Sequence, residues 1–253
     1  MPPISAFQNK CISLLDAGPR NHATHSFRSA LHHLERAEAL RDIDPAMAAF
    51  RAITAEEEAA SGVMRCLQNL GYSGADFLNP HNHTHKHAVF PFLQVLQLFF
   101  SQTLALYFQK YNLHIKEEDG VTRLTLALDV LVDGAAQLVY PVPPLNFHVR
   151  NFGTETPVDY QSQIDQFLAA KGKATIREFL RNEANLRNRI LYADKNGYPT
   201  ISSLGDHFLV ERKARVWGMI YLYLLVYPYA EHQPFVSQAL GAFVKLLDEL
   251  KRT

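Results

Sequence analysis

The chain has 253 residues, 47% apolar and 20% charged, with 25 basic and 25 acidic side chains and a formal charge of zero. That usage excludes a disordered or fibrous chain, and the neutral balance removes any whole-molecule attraction to nucleic acid or an anionic membrane, so such a contact would have to be a local patch. Cys11 and Cys66 lack CxxC spacing, and the opening MPPISAFQNK lacks the charged-then-apolar layout of a signal peptide. The expected setting is therefore reducing and cytoplasmic, with inert thiols.

Apolar residues recur at three- and four-residue spacing over about 4–16, 24–41, 45–70 and 86–111, separated by Gly18-Pro19, Asp44-Pro45 and Gly71-Tyr72-Ser73-Gly74. These segments predict helices divided by turns. Within the fourth, AVFPFLQVLQLFFSQTLALYF (88–108) carries no formal charge over 21 residues. Gln94, Gln97, Ser101, Gln102 and Thr103 would be costly in lipid but can find partners inside a protein, so a buried central helix is expected rather than a membrane span.

From Val121 the period changes. Leu124, Leu126, Leu128, Val130 and Val132 alternate with Thr125, Ala127 and Asp129 before Asp133-Gly134, a hairpin signal. A second extended run, 138–149, holds Pro141, Pro143 and Pro144 and must be an edge or irregular strand. Helical patterns resume at about 158–170, 174–194, 206–228 and 234–251. The expected fold is mainly α: one helical-bundle domain over 1–253, with N-terminal helices in 1–118, a β-hairpin inserted at 119–152 and C-terminal helices in 153–253.

Charged residues on apolar faces mark a candidate site. On the third helix Glu57 falls inside the stripe of Ile53, Ala60, Val63 and Met64, while the two acids flanking it in AEEEAA point elsewhere. A buried carboxylate needs a cationic or hydrogen-bonding partner. In ATIREFLRNEANLRNRILYADKNG, Glu183 and Arg187 lie on the face of Ile176, Phe179, Leu180, Ile190 and Leu191, spaced i,i+4 with the acid first. A shared network of Glu57, Glu183 and Arg187 is expected, either as a structural clamp or as the lining of a site.

NPHNHTHKHAVFPF (79–92) sets His81, His83, His85 and His87 at alternate positions. In an extended segment they share one face, and on a helix His81/His85 and His83/His87 form i,i+4 pairs, so a metal site is one reading. The preferred reading places Pro91 in the first turn of the next helix and makes the stretch a helix entrance, where His85 and Lys86 turn toward Glu57 as an acid–base or anion-binding corner. A solvated loop is the third.

Arg187-Asn188-Arg189-Ile190-Leu191-Tyr192 resembles the Arg-Asn-x-x-x-His element of HEPN domains, helical bundles of prokaryotic toxins, antiviral ribonucleases and abortive-infection proteins. The acid-rich helix 53–60 followed by the His/Lys start of an apolar helix at 83–87 is similar to AbiV-type members. The resemblance implies a prokaryotic defence or toxin–antitoxin protein that binds RNA or formerly cleaved it, acting as a homodimer. Its site would combine Arg187, Asn188 and Tyr192 with Glu183, Glu57, His85 and Lys86. Tyr192 stands where the family has histidine, and a phenol is a poorer proton shuttle than an imidazole at neutral pH, which puts cleavage in doubt.

Two alternatives stand beside this reading. One is a non-catalytic binding or oligomerisation module with structural buried charges, and the other a metal-dependent helical-bundle enzyme. The paired Glu-x-x-His motifs of di-metal bundles, Gly-rich phosphate loops, nucleophile elbows and Cys/His zinc spacings are all missing from the sequence, and no cofactor is expected.

Overall fold

Ser5, Asn21, Asp44 and Thr175 each accept a backbone N–H from the helical turn they open, which satisfies donors that a helix start leaves free. The computed structural model describes residues 4–103, 108–118, 120–132, 135–150, 153, 156, 158–172, 175–192, 201 and 203–252. Its helices are α1 Ala6–Ala17, α2 His22–Leu40, α3 Pro45–Asn69, α4 His83–Thr103, α5 Gln161–Ala170, α6 Ile176–Leu191, α7 Asp206–Val226 and α8 Pro234–Arg252. The expected mainly α bundle with a small β insertion is the observed architecture.

α3 is the hub, in contact with α2, α4, α6 and α7. It is alanine-rich along its buried length, and Gly62 brings it against the ring of Phe27 on α2. One apolar core draws residues from all eight of these helices, among them Leu15, Phe27, Met64, Phe92, Phe167, Leu180, Ile220 and Phe243. No helix among the described residues is long and apolar enough to cross a membrane. α4 sends Val89, Phe92, Val95, Leu96 and Phe99 into the core, and Gln102 meets Gln163 and Gln166 of α5.

The sheet departs from the expected bounds. Three antiparallel strands, β1 Phe108–Glu118, β2 Val121–Val132 and β3 Ala135–Val139, pair in the order β1-β2-β3. The fourth helical pattern was expected to run to 111, but α4 ends at Thr103 and a strand occupies 108–118. Leu113 and Ile115 face Leu126 and Leu124 across the ladder, a period-2 pattern diluted by Lys116, Glu117 and Glu118. The chain turns back through Gly120, whose φ of +73° suits glycine. The Asp133-Gly134 turn lies outside the described residues, although Val132 pairs with Ala135 on either side of it.

Beyond Val139 the proline-rich run to Val149 carries no strand, because proline has no N–H to give a ladder. It is held from Gln233 and from α8 instead. Gln233 accepts from the Leu145 N–H at 2.8 Å, and Gln238 both accepts from the Val149 N–H and donates to its carbonyl, at 2.8 and 2.7 Å. Phe147 stacks on Phe235 with ring centroids 4.9 Å apart.

α4 also begins earlier than expected. Its first residue is His83, so Pro91 lies inside the helix and not in its first turn. Asn82 accepts from the N–H groups of Thr84 (2.8 Å) and His85 (3.3 Å), an N-cap that starts the helix amid the histidines. The preceding loop is tied to α3: Gln68 donates to the carbonyls of Ala75 (3.2 Å) and Leu78 (2.9 Å), and Ser61 to that of Pro80 (3.2 Å). These bonds bring the start of α4 back along α3 to the level of Glu57.

Candidate functional site

With His83 as the first helical residue, His83, Lys86 and His87 fall at i, i+3 and i+4 on one face of α4. All three reach Glu57. Oε1 of that carboxylate lies 3.0 Å from His83 Nδ1 and 3.1 Å from His87 Nε2, and Oε2 accepts from Lys86 Nζ at 3.0 Å. Glu57 and His87 are buried, Lys86 is nearly so, and the His83 side chain is half exposed, which makes it the mouth of the cluster. Burial alone would push the Glu57 carboxyl up; the His87 imidazole and Lys86 ammonium outweigh it and hold the group far below the usual carboxylate range.

The contact from His87 is close but misaligned. Nε2 is buried and, among the described residues, has no aligned hydrogen-bond partner, although it stands 3.1 Å from Glu57 Oε1. The two imidazole nitrogens thus converge on one carboxylate oxygen, and His83 alone is aligned to share a proton with it.

A second network adjoins the first. Glu56, one residue earlier on α3, is buried with Arg212 and Arg215 of α7. Arg212 Nη1 donates to Glu56 Oε2, and Arg215 Nη1 lies 3.2 and 3.3 Å from the two Glu56 oxygens. Glu183 of α6 takes Arg212 Nη2 at 3.2 Å and Arg215 Nη1 at 3.3 Å, and Glu211 takes Arg215 Nη2. Burial works against ionisation of Glu56, but the two guanidiniums, aided by His87, keep its carboxyl below the ordinary glutamate range. Arg215 also lies over the ring of Phe90 on α4, so its charge bridges three helices and an aromatic face.

The expected set is therefore redistributed. Glu57, Glu183 and Arg187 do not form one network: Glu57 belongs to α4, Glu183 to the α7 arginines, and the Arg187 guanidinium sits 4.8 Å over Phe50. Lys86 turns toward Glu57 as expected, but His85 does not. Two residues from His83 and from His87, it lies on the far side of the helix, where Nδ1 accepts from the Asn79 N–H at 3.1 Å and the ring stacks on Phe77. His81 is exposed on the turn, its N–H bound to Asn79 Oδ1. Of the four alternating histidines only His83 and His87 share a carboxylate. Asn188 is exposed on the last turn of α6 and Tyr192 just beyond it.

Glu56, Arg212, Arg215 and Glu211 were missed. Glu56 was set aside because a one-stripe helical wheel assigns its neighbour to the core; α3 is enclosed on several sides, so both acids are buried. The arginines had a legible signal. Arg212 and Arg215 fall at three- and four-residue steps between the core residues Leu209, Val216 and Met219, the same misplaced charge that singled out Glu57.

Fold and site together define a mainly α-helical protein with paired carboxylates on its central helix, each gripped by cationic side chains of another helix. Compared with models of protein families, with curated proteins and with solved structures, the chain matches none.

Proposed function

We propose that the chain is a HEPN-like, AbiV-like helical protein of prokaryotic defence or toxin–antitoxin type that binds RNA through the exposed end of α6. The observation that carries this reading is Tyr192, a large aromatic 66% exposed, with Asn188 one turn behind it and Arg189 beside it, both exposed. An outward ring flanked by an arginine and an amide is a platform on which an unpaired base can stack while its phosphate meets a cation. α6 spends its Glu183 on the interior network, so its exposed charges are Arg177, Arg181 and Arg189 against Glu178. This local excess supplies the patch that the neutral chain as a whole lacks.

Arg187, packed on Phe50, orients the same helix end. Tyr192 in place of the family's histidine favours binding over cleavage, and the family's architecture carries a homodimer with it. The buried Glu56–Arg212–Arg215–Glu183 network serves as a clamp joining α3, α6 and α7.

Anisotropy titration of a labelled single-stranded RNA tests the reading. Binding weakens steeply with salt, and Tyr192→Ala or Arg189→Glu weakens it at least about 10-fold, the loss of one stacking or ionic contact. Variants that bind as tightly as the parent, or a parent that binds no RNA, overturn it. Light scattering at micromolar concentration that finds only monomer removes the homodimer.

A further inference from the structure

Among the described residues, His83, His87 and Glu57 place one ligand atom each within 4.8 Å of the other two. We propose that these residues form a divalent transition-metal site of the zinc class, with His83 Nδ1, His87 Nε2 and Glu57 Oε1 as ligands. The ligand set is two imidazoles and one carboxylate, the donors such ions prefer. The spacing fits as well. Ligands about 2.0–2.1 Å from a tetrahedral zinc stand about 3.3 Å apart, and the two nitrogens lie 3.0 and 3.1 Å from Oε1.

A further feature of the cluster points to a cation. His87 Nε2 is buried, points into the cluster 3.1 Å from Glu57 Oε1 and, among the described residues, has no aligned hydrogen bond, the position of a ligand nitrogen.

Lys86 fits this role as a positioning residue. Its ammonium holds Glu57 Oε2 at 3.0 Å, so the carboxylate offers Oε1 alone and binds through one oxygen. Three protein ligands leave a fourth position, and the half-exposed His83 puts it at the surface, where water or a substrate oxygen can enter. The site arises from two helices: α4 contributes the i,i+4 histidines and α3 the carboxylate.

The test uses the full chain, purified without a histidine tag and stripped with chelator. Calorimetric titration with Zn2+ and absorption titration with Co2+ each give one equivalent per chain, the bound cobalt showing the strong visible bands of a four-coordinate ion. His83→Ala, at an exposed position that leaves the core intact, weakens binding at least about 10-fold. His81→Ala, on the same turn but outside the cluster, leaves it unchanged. Uptake of no stoichiometric metal by the parent, equal binding by His83→Ala, or loss of binding in His81→Ala overturns the proposal; the last places the metal on the exposed turn.

Discussion

Arg215 holds Glu56 from the far half of the chain, its Nη1 lying 3.2 and 3.3 Å from the two carboxylate oxygens across a separation of 159 residues. Both side chains are buried, so each makes the burial of the other tolerable. Removing one partner of such a pair leaves an uncompensated charge and costs about 3–5 kcal/mol. Glu56→Gln and Arg215→Met should each lower the unfolding free energy by that much, measured by urea unfolding followed by circular dichroism. A loss under about 1 kcal/mol for both would mean that the clamp does not hold the bundle.

The same carboxylates make stability depend on acid. Glu56 and Glu57 both have folded-state values held below the ordinary 4.5. The unfolded chain therefore binds more protons than the folded one at low pH. Their contribution is complete above about pH 4.5 and is lost as pH falls through the folded values. The thermal midpoint should fall progressively as pH is lowered from about pH 5, with a shallower slope in Glu56→Gln. Calorimetry across that window checks it, and identical slopes in parent and variant would count against the assignment.

Gly62 should resist the substitution that usually helps a helix. Alanine is favoured over glycine in a helix interior by about 1 kcal/mol, but a Cβ here would fall 2.6 Å from Cε2 of the buried Phe27 ring. Neither ring nor helix has room to move, so Gly62→Ala should destabilise by about 1–3 kcal/mol. Phe27→Leu combined with Gly62→Ala should recover part of that loss, which separates a clash from a backbone effect.

Burial pushes the Cys66 thiol up to about 12 and the Cys11 thiol to about 11. Both should be inert to a thiol reagent at about pH 8 while the chain is folded, and both should react once it is unfolded. Rapid reaction of either in the native protein would show that its helix opens.

Much of this was legible beforehand. Strand β2 announced itself through Leu124, Leu126 and Leu128, whereas β1 was half hidden because its apolar alternation is diluted by Lys116, Glu117 and Glu118. The i,i+4 relation of His83 and His87 was readable too, but only once a helix began at His83. That beginning depends on Asn82 as a cap and on the loop bonds from Gln68 and Ser61, which no periodicity reports.

Periodicity states which way a side chain points from its own helix axis, and on that ground Glu57 and Glu183 were placed inward. It is silent about which neighbour lies there. The partners of Glu57 are 26 to 30 residues away, and those of Glu56 stand on α7 near the far end of the chain. Only the packing of both α4 and α7 against α3 gave Glu57 to the histidines and lysine and Glu56 to the arginines. Buried charge fixes the need for a partner locally, but its identity is decided by whichever helices enclose it.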